Sequence, residues 1–536
     1  MTEGWINRVL AVVLGLVVVV GSSAPTARAE PVLQPLRVPS FVALTPERVL
    51  DTRAGAKVGS PTGAAAALEV PLLGKGGLPA TGVAAVSLNV TVTESENPAV
   101  GGGFVTVFPC GVRPDASNLN FVAGQTVPNA VIAPVSSTGT VCFYVYGVAH
   151  LLADVSGYFP TGSDFTTLTP ARVLDTRAGG KVGSASGGAA AFELSVLGKG
   201  GLPTSGIGAV ALNVTAAEAE NPTVGGGYVT VYPCGTRPDA SNLNFVAGQT
   251  VPNLVIAPVS ATGTVCFYVY GTAHLLADVS GYFATGSSFV SLTPSRLLNT
   301  RFTTKVGNAA GTGTVLELSV LGHAGLPGTA AAPVVIPDAP PLFAGGPVIG
   351  ALALNVTVTD SEDPAVGGGY VTVFPCGTRP EASNLNFVAG QTIANAVIAP
   401  VSATGRICFY VYGTANLLAD VSGYLPTPNT VGFTFVDQNG VLIPRAGLLW
   451  CNRTADPTCA SGYFVGSDAA GIARLALEPG ASYTILAHVG DTGWPCPGYI
   501  DRLGHTSHFG VPVEGLGASF PNLTTLTIVK PDPSAC

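Results

Sequence analysis

GGGFVTVFPCGVRPDASNLNFVAGQTVPNAVIAPVSSTGTVCFYVYGVAHLLADVSGYF, residues 101–159, decides the fold. It returns almost letter for letter at 225–283 and, with more substitutions, at 367–425. Its marker Cys110 recurs 124 positions on as Cys234, and then 142 further on as Cys376. A long fixed period means one folding unit used three times. At roughly 120 residues the unit is domain-sized, so each copy can own a core. Within the block, FVTVF (104–108) alternates and VCFYVY (141–146) is made of strand formers, with Gly and Pro between the runs. Short β-rich runs with turn signals every 8–12 residues point to a sandwich or barrel.

Working outward, each copy opens with an LTPxRxLxTR segment (41–53, 165–177, 289–301), followed by a Gly/Ala loop and a short strand. A strand containing LNV comes next (86–92, 210–216, 352–358), which brings the count to about eight per copy. Eight strands suffice for a two-sheet sandwich or jelly roll. The expected fold class is all-β, with three tandem β-sandwich, jelly-roll-like repeats at 41–160, 165–284 and 289–426. The links between them are only a few residues long, which keeps neighbours close. The 18 extra residues of copy 3 fall within a Pro-rich insert, 327–348, read as a surface loop. After PTP (426–428) the pattern changes, and 430–536 reads as one further small β domain.

The chain of 536 residues is 47% hydrophobic and only 10% charged, with a net charge of −8. It has no basic patch, which argues against nucleic acid as a partner. At the N-terminus Arg8, an apolar run (9–20) and Ala27-Arg28-Ala29 have the layout of a secretory signal, so cleavage after Ala29 is expected. The segment 30–40 is a Pro-containing lead-in, and no membrane attachment is expected once the signal is removed. Ten cysteines in an exported chain read as disulfides. The pairs Cys110/Cys142, Cys234/Cys266 and Cys376/Cys408 all lie 32 apart, which favours a bridge inside each copy. Cys451, Cys459, Cys496 and Cys536 allow three pairings, of which 451–459 with 496–536 is favoured.

LTPxRxLDTR, LNVT, SNLNFxxGQT and ADVSGY together resemble a repeat found in secreted actinobacterial proteins. The resemblance spans about residues 41–425 and implies an exported β-sandwich module, in some relatives attached to hydrolases, with no chemistry of its own. VDQNGVLIPRAGLLW and SDAAGIARLALEPGASYTILA resemble the carboxypeptidase-regulatory-like, or B-type surface-protein, fold. That implies an Ig/transthyretin-like sandwich for the last domain. B-type domains often carry a Lys–Asn isopeptide bond with the Lys on the first strand. Residues 433–436 hold no Lys and the domain's only one is Lys530, so the bond is not expected here.

Comparing the three copies with one another sorts the polar residues. Asp51 and Asp175 become Asn299, which keeps an acceptor but not a carboxylate, so this position ties backbone. His150 and His274 become Asn416, a change that a catalytic base or metal ligand would not survive. Asp154, Asp278 and Asp420 stay Asp inside the apolar run LLADVSGY. A buried carboxylate needs a partner. The arginines Arg48, Arg53, Arg172, Arg177, Arg296 and Arg301 are the candidates, with a ligand-carboxylate clamp as their alternative role.

An amide run recurs in full: Asn118, Asn120, Gln125, Asn129; Asn242, Asn244, Gln249, Asn253; Asn384, Asn386, Gln391, Asn395. Amides both donate and accept, which suits sugar hydroxyls and suits loop bridging equally. Tyr144, Tyr146 and Tyr158 are available for stacking, and no repeat contains a Trp. Carboxylates before the triple glycine (Glu94, Glu96; Glu218, Glu220; Asp360, Glu362, Asp363) form a weak calcium candidate against a solvated turn. His505 and His508 near Asp501 lack the zincin pattern. Asn89, Asn213, Asn355, Asn452 and Asn522 begin N-x-T sequons, expected to be bare in a bacterial export context.

No cofactor and no catalysis are expected. The leading reading is a secreted or cell-envelope structural and adhesive protein. The alternatives are a glycan- or cell-wall-binding protein and a hydrolase with an unrecognised site. The partners implied are cell-wall or extracellular glycan, or surface proteins.

Overall fold

The computed structural model describes residues 40–310, 312, 315–328 and 349–427 with their side chains, and seven backbone strands between 430 and 528. The signal segment 1–29, nearly all of the lead-in and the Pro-rich insert, and the four cysteines, three histidines and two sequons of the last domain lie outside what is described at side-chain level. The described residues contain no helix.

Repeat 1 is built from β1 (Val42–Asp51), β2 (Val58–Ser60), β3 (Leu68–Pro71), β4 (Val83–Glu96), β5 (Gly103–Pro109), β6 (Leu119–Phe121), β7 (Val127–Pro134) and β8 (Thr140–Pro160). The 21-residue β8 is its spine. Its first part, Val141–Tyr146, pairs with β3 and β5. Its later part, His150–Pro160, pairs with β4, and much of it also with β1 on the other side. One strand thus serves both faces of the sandwich. Between the two parts the pairing with β2 is irregular at Gly147, where φ is +98° and a Cβ would meet the Glu96 carbonyl oxygen at 2.9 Å. Only glycine accepts both conditions. Repeats 2 and 3 reproduce the same strand order around Thr264–Ala284 and Arg406–Pro426.

The alternation along β5 and β8 buries Val105, Val107, Phe143, Val145, Leu151, Ala153 and Val155 in a core belonging to repeat 1. Equivalent cores fill repeats 2 and 3. Each repeat also carries its own bridge, Cys110–Cys142, Cys234–Cys266 or Cys376–Cys408, spanning 32 residues. Closing such a loop contributes ~3–4 kcal/mol in the chain-entropy account.

A fourth cluster belongs to all three repeats. It holds Ala85, Ala130 and Ile132 of the first, Ala209, Leu254 and Ile256 of the second, and Ala351, Ala396 and Ile398 of the third. A run of rings crosses the same region. Phe159 stacks on Phe165 across the first link at 4.3 Å, and Phe283 on Phe289 across the second at 4.5 Å. Phe159 also reaches Phe283 at 6.0 Å. The edge strands β7, Val251–Pro258 and Ile393–Pro400 each touch the other two. The three repeats therefore do not lie as beads on a string: they close into a ring about a pseudo-threefold axis, with repeat 3 against repeat 1. The expectation of modules that each stand on a private core is corrected to private cores plus one shared one.

In the last domain, Thr430–Asp437 lies between Ile472–Ala476 and Leu523–Ile528 in one sheet, the latter pair parallel. Tyr463–Gly466, Ala446–Asn452, Tyr483–Val489 and Gly510–Val511 form a second sheet.

The closed ring makes the links dispensable for association. Protease sites placed at 161–163 and 285–287, where the chain is largely exposed, should cut without separating the repeats. After cleavage, native size-exclusion chromatography should give one peak at the intact size, with separate pieces only under denaturing conditions. Pieces that elute apart natively would mean the shared cluster is too weak to hold the ring.

Candidate functional site

The ring is tied by asparagines at the axis. In repeat 1, Asn129 Nδ2 donates to the Asn118 carbonyl at 2.6 Å and to Asn213 Oδ1 of repeat 2 at 2.8 Å. Asn129 Oδ1 accepts from Leu254 N of repeat 2 at 3.1 Å. Asn253 repeats the pattern toward Asn355 Oδ1 and Ala396 N, both at 2.8 Å. Asn395 closes it onto repeat 1, donating to Asn89 Oδ1 at 2.9 Å and accepting from Ala130 N at 3.0 Å. The return donors are Asn213, Asn355 and Asn89, whose amides reach the carbonyls of Ser117, Ser241 and Ser383, each at 2.6 Å.

These bonds account for half of the sequence-selected amide set. Asn129, Asn253 and Asn395 are at most 1% exposed. Asn118, Asn242 and Asn384 are also buried, and each accepts from a backbone N–H of the neighbouring strand at 2.7 Å. Both trios are turned into the ring: the Asn129, Asn253 and Asn395 amides use donor and acceptor there, and the Asn118, Asn242 and Asn384 oxygens are held by backbone. In the sequence Asn89, Asn213 and Asn355 stand out only as sequons; the structure makes them clasp residues. The available signal was their position: a buried polar residue between the core residues of β4, Leu88 and Val90, needs a partner from outside its own sandwich.

The ion pairs sit beside this clasp. Arg172 Nε donates to Asp278 Oδ1 at 2.5 Å and Arg48 Nε to Asp154 Oδ1 at 2.5 Å; Arg296 pairs with Asp420 in the same way. Burial pushes all three carboxyls above the ordinary Asp range, and the facing arginine pulls them back. The pairs also meet the preceding repeat. The Ser117 backbone hydrogen-bonds Asp278, the Ser241 backbone hydrogen-bonds Asp420, and Arg296 Nη2 donates to the Asp239 carbonyl at 3.4 Å. The other arginines hold the Asp51 position. Arg53 and Arg177 bond Asp51 and Asp175 through side chain and backbone, and Arg301 does the same to Asn299. The side-chain bond from Arg53 or Arg177 holds Asp51 and Asp175 well below the usual carboxylate range, against a smaller opposing effect of burial.

Glu96, Glu220 and Glu362 each pair with a lysine, Lys57, Lys181 and Lys305, at 2.6–2.7 Å. Glu94, Glu218 and Asp360 take a left-handed φ of 49–50° at a register shift within β4 and its equivalents. His150 lies 3.2 Å from Thr52 Oγ1, and its counterpart Asn416 donates to Asp360. No group of three His, Cys, Asp or Glu side chains converges among the described residues. The tyrosines are also engaged: Tyr144 donates to the Gly63 carbonyl at 3.0 Å beneath Arg113, and Tyr158 packs on the core of repeat 1.

The remaining amides converge. Asn120, Asn244, Asn386, Gln125, Gln249 and Gln391 line a cavity of ≈ 1130 Å³ built by all three repeats. Along β7 the order is clear: Val127 and Pro128 line the cavity, Asn129 makes the clasp, and Ala130 and Ile132 enter the shared apolar cluster. The cavity is therefore axial and floored by the asparagine layer. Each glutamine is oriented, because its Oε1 accepts from the Val122, Val246 or Val388 N–H at 3.0 Å. Those valines are half-exposed and also line the cavity. No side chain in the lining is charged.

No family model matches the chain, and no curated protein matches it. Among solved structures, the chain is similar to the N-terminal tandem CBM22 domain of Paenibacillus barcinonensis Xyn10C. The match has 13% identity and covers 49% of this chain and 99% of that one, with a TM-score of 0.15. At that score the likeness carries no argument about the site.

Two measurements test the electrostatic part of this description. Asp278→Ala in the full chain leaves Arg172 without its buried partner, and loss of one member of such a pair costs about 3–5 kcal/mol. Arg172→Ala should also destabilise, and the double variant should lose less than the sum of the two by thermal or denaturant unfolding. Strict additivity would mean the pair is not coupled.

The second measurement uses pH. A carboxyl with a depressed folded pKa adds stability above its unfolded pKa and loses it as pH falls through the folded value. Asp51→Asn with Asp175→Asn should therefore lower Tm at neutral pH, and the gap to the wild type should close on acidification. The sites are partly exposed, so the gap is small, roughly 0.2–1 kcal/mol per site. A gap that widens toward low pH contradicts the assignment.

Proposed function

We propose that the chain is a secreted or envelope-associated protein without catalysis, structural and adhesive in role, in which the ring of repeats is the binding head. The observation that carries this reading is the axial cavity, which needs all three repeats and which none could form alone. Three disulfides fit an oxidising compartment outside the cell. The polar side chains that a sequence reader would assign to chemistry are instead paired: buried Asp with Arg, surface Glu with Lys, clasp Asn with backbone. The likeness of the repeat motifs to secreted actinobacterial modules, and of the last domain to transthyretin-like surface domains, belongs to the same proposal. Here the repeats supply a preorganised head, and preorganisation lowers the cost of binding.

The test plugs the cavity. Val122→Trp, Val246→Trp and Val388→Trp together change half-exposed positions in the lining and should leave the melting temperature near that of wild type. Cell-wall and envelope material should retain the wild-type chain and release the plugged variant. Equal retention of the two would place any binding outside the ring.

A further inference from the structure

We infer that the axial cavity is a site for one neutral oligosaccharide per chain, held mainly by the amide N–H groups of Gln125, Gln249 and Gln391. This rests on the reading of the ring as a binding head and adds the ligand's class and its stoichiometry. The chemistry of the lining selects the class. Each glutamine spends its Oε1 on a backbone N–H, and a backbone N–H accepts no other orientation of that amide. Nε2, with two N–H donors, is what remains, and no hydrogen bond within the described residues uses it. Asn120, Asn244 and Asn386 stand beside them, each holding a serine hydroxyl through Oδ1 at 3.2–3.4 Å. The cavity is thus rich in donors and calls for a ligand rich in oxygen acceptors.

Charge then removes the competing oxygen ligands. A phosphate, sulfate or carboxylate would leave water for a lining that offers no cation, and a metal ion would find no carboxylate. Moving an ion to such a place is costly, whereas a hydroxyl or acetamido oxygen needs only a hydrogen bond. Between the amides, Val127, Val251, Ile393, Pro128 and Pro252 present apolar surface to the C–H faces of a sugar ring. Placed polar groups set between apolar wall segments are the ordinary make-up of a small-molecule site.

Symmetry sets the stoichiometry. Three copies of each amide face one volume rather than three separate pockets. At ≈ 1130 Å³ that volume lies just above the ~300–1,000 Å³ of typical ligand sites. It suits a single oligosaccharide, and a ring opened at any interface would lose the site.

The experiment uses the full chain on an array of short neutral and acidic oligosaccharides, with titration calorimetry on whatever binds. Neutral oligosaccharides should bind, at one per chain. The decisive variant combines Gln125→Glu, Gln249→Glu and Gln391→Glu. It keeps the acceptor that holds the backbone N–H but replaces every NH2 by oxygen. Three lost hydrogen bonds correspond to an affinity about 100-fold weaker, with an unchanged disulfide map and a retained cooperative melt. If the glutamate variant does not fold, Gln249→Glu alone should still weaken binding measurably. The inference is overturned by binding of acidic oligosaccharides only, by three ligands per chain, by affinity indifferent to the substitutions, or by no neutral ligand at all. In that last case, capture by envelope material that is still lost in the tryptophan-plugged variant would leave the binding head standing and remove only its ligand.

Discussion

An edge strand must be given something to bond. In each repeat the sheet ends at β7 or its equivalent, and the outward N–H groups of such a strand invite pairing with another chain. Here the invitation is answered inside the molecule. Ala130, Leu254 and Ala396 each donate their N–H to an asparagine side chain of another repeat. The same asparagines donate onward to the LNV asparagines of β4 and its equivalents, so every edge is both capped and cross-linked. Because the three edges meet at one axis, satisfying them forces closure of the ring. Closure in turn creates the shared apolar cluster on one side of the asparagine layer and the cavity on the other.

The energetic roles divide accordingly. Each sandwich has a private core and disulfide, which hold its internal order. The clasp contributes direction more than energy, since a net intramolecular hydrogen bond adds only about 0.5–1.5 kcal/mol. Its value lies in what leaving it unmade would cost, because the amides of Asn129, Asn253 and Asn395 are wholly buried. The Arg172–Asp278 type of pair works in the same way: a buried carboxylate, raised by desolvation, is tolerable only with its arginine and the preceding repeat's backbone in place.

Much of this was legible in the sequence. The repeat period, the all-β class, the eight strands and the 32-residue cysteine spacing are local or periodic signals, and the structure shows them. Asp278 as a structural partner of an arginine followed from one charge in an apolar strand, and the partner is Arg172. The ring was not read. Its signal was present in NAVIAP (129–134), which lacks polar alternation: Val131 and Ala133 enter the private core, while Ala130 and Ile132 enter the shared one. A strand apolar on both faces needs a second cover, but periodicity does not say that the cover is another copy of the same unit. For the same reason the amide run was read as one set. Asn118 and Asn129 are buried, whereas Asn120 and Gln125 face the cavity, and only the pleat and the axis separate them.

The central claim is that the edge N–H groups of all three repeats are capped by asparagines from another repeat. Amide hydrogen exchange of Ala130, Leu254 and Ala396 in the native full chain addresses it directly. The account predicts that all three exchange as slowly as core amides such as those of Val145, Val269 and Val411, and with closely similar protection from repeat to repeat. Fast exchange at these positions, as on an open edge strand, or protection in two repeats but not the third, would contradict it.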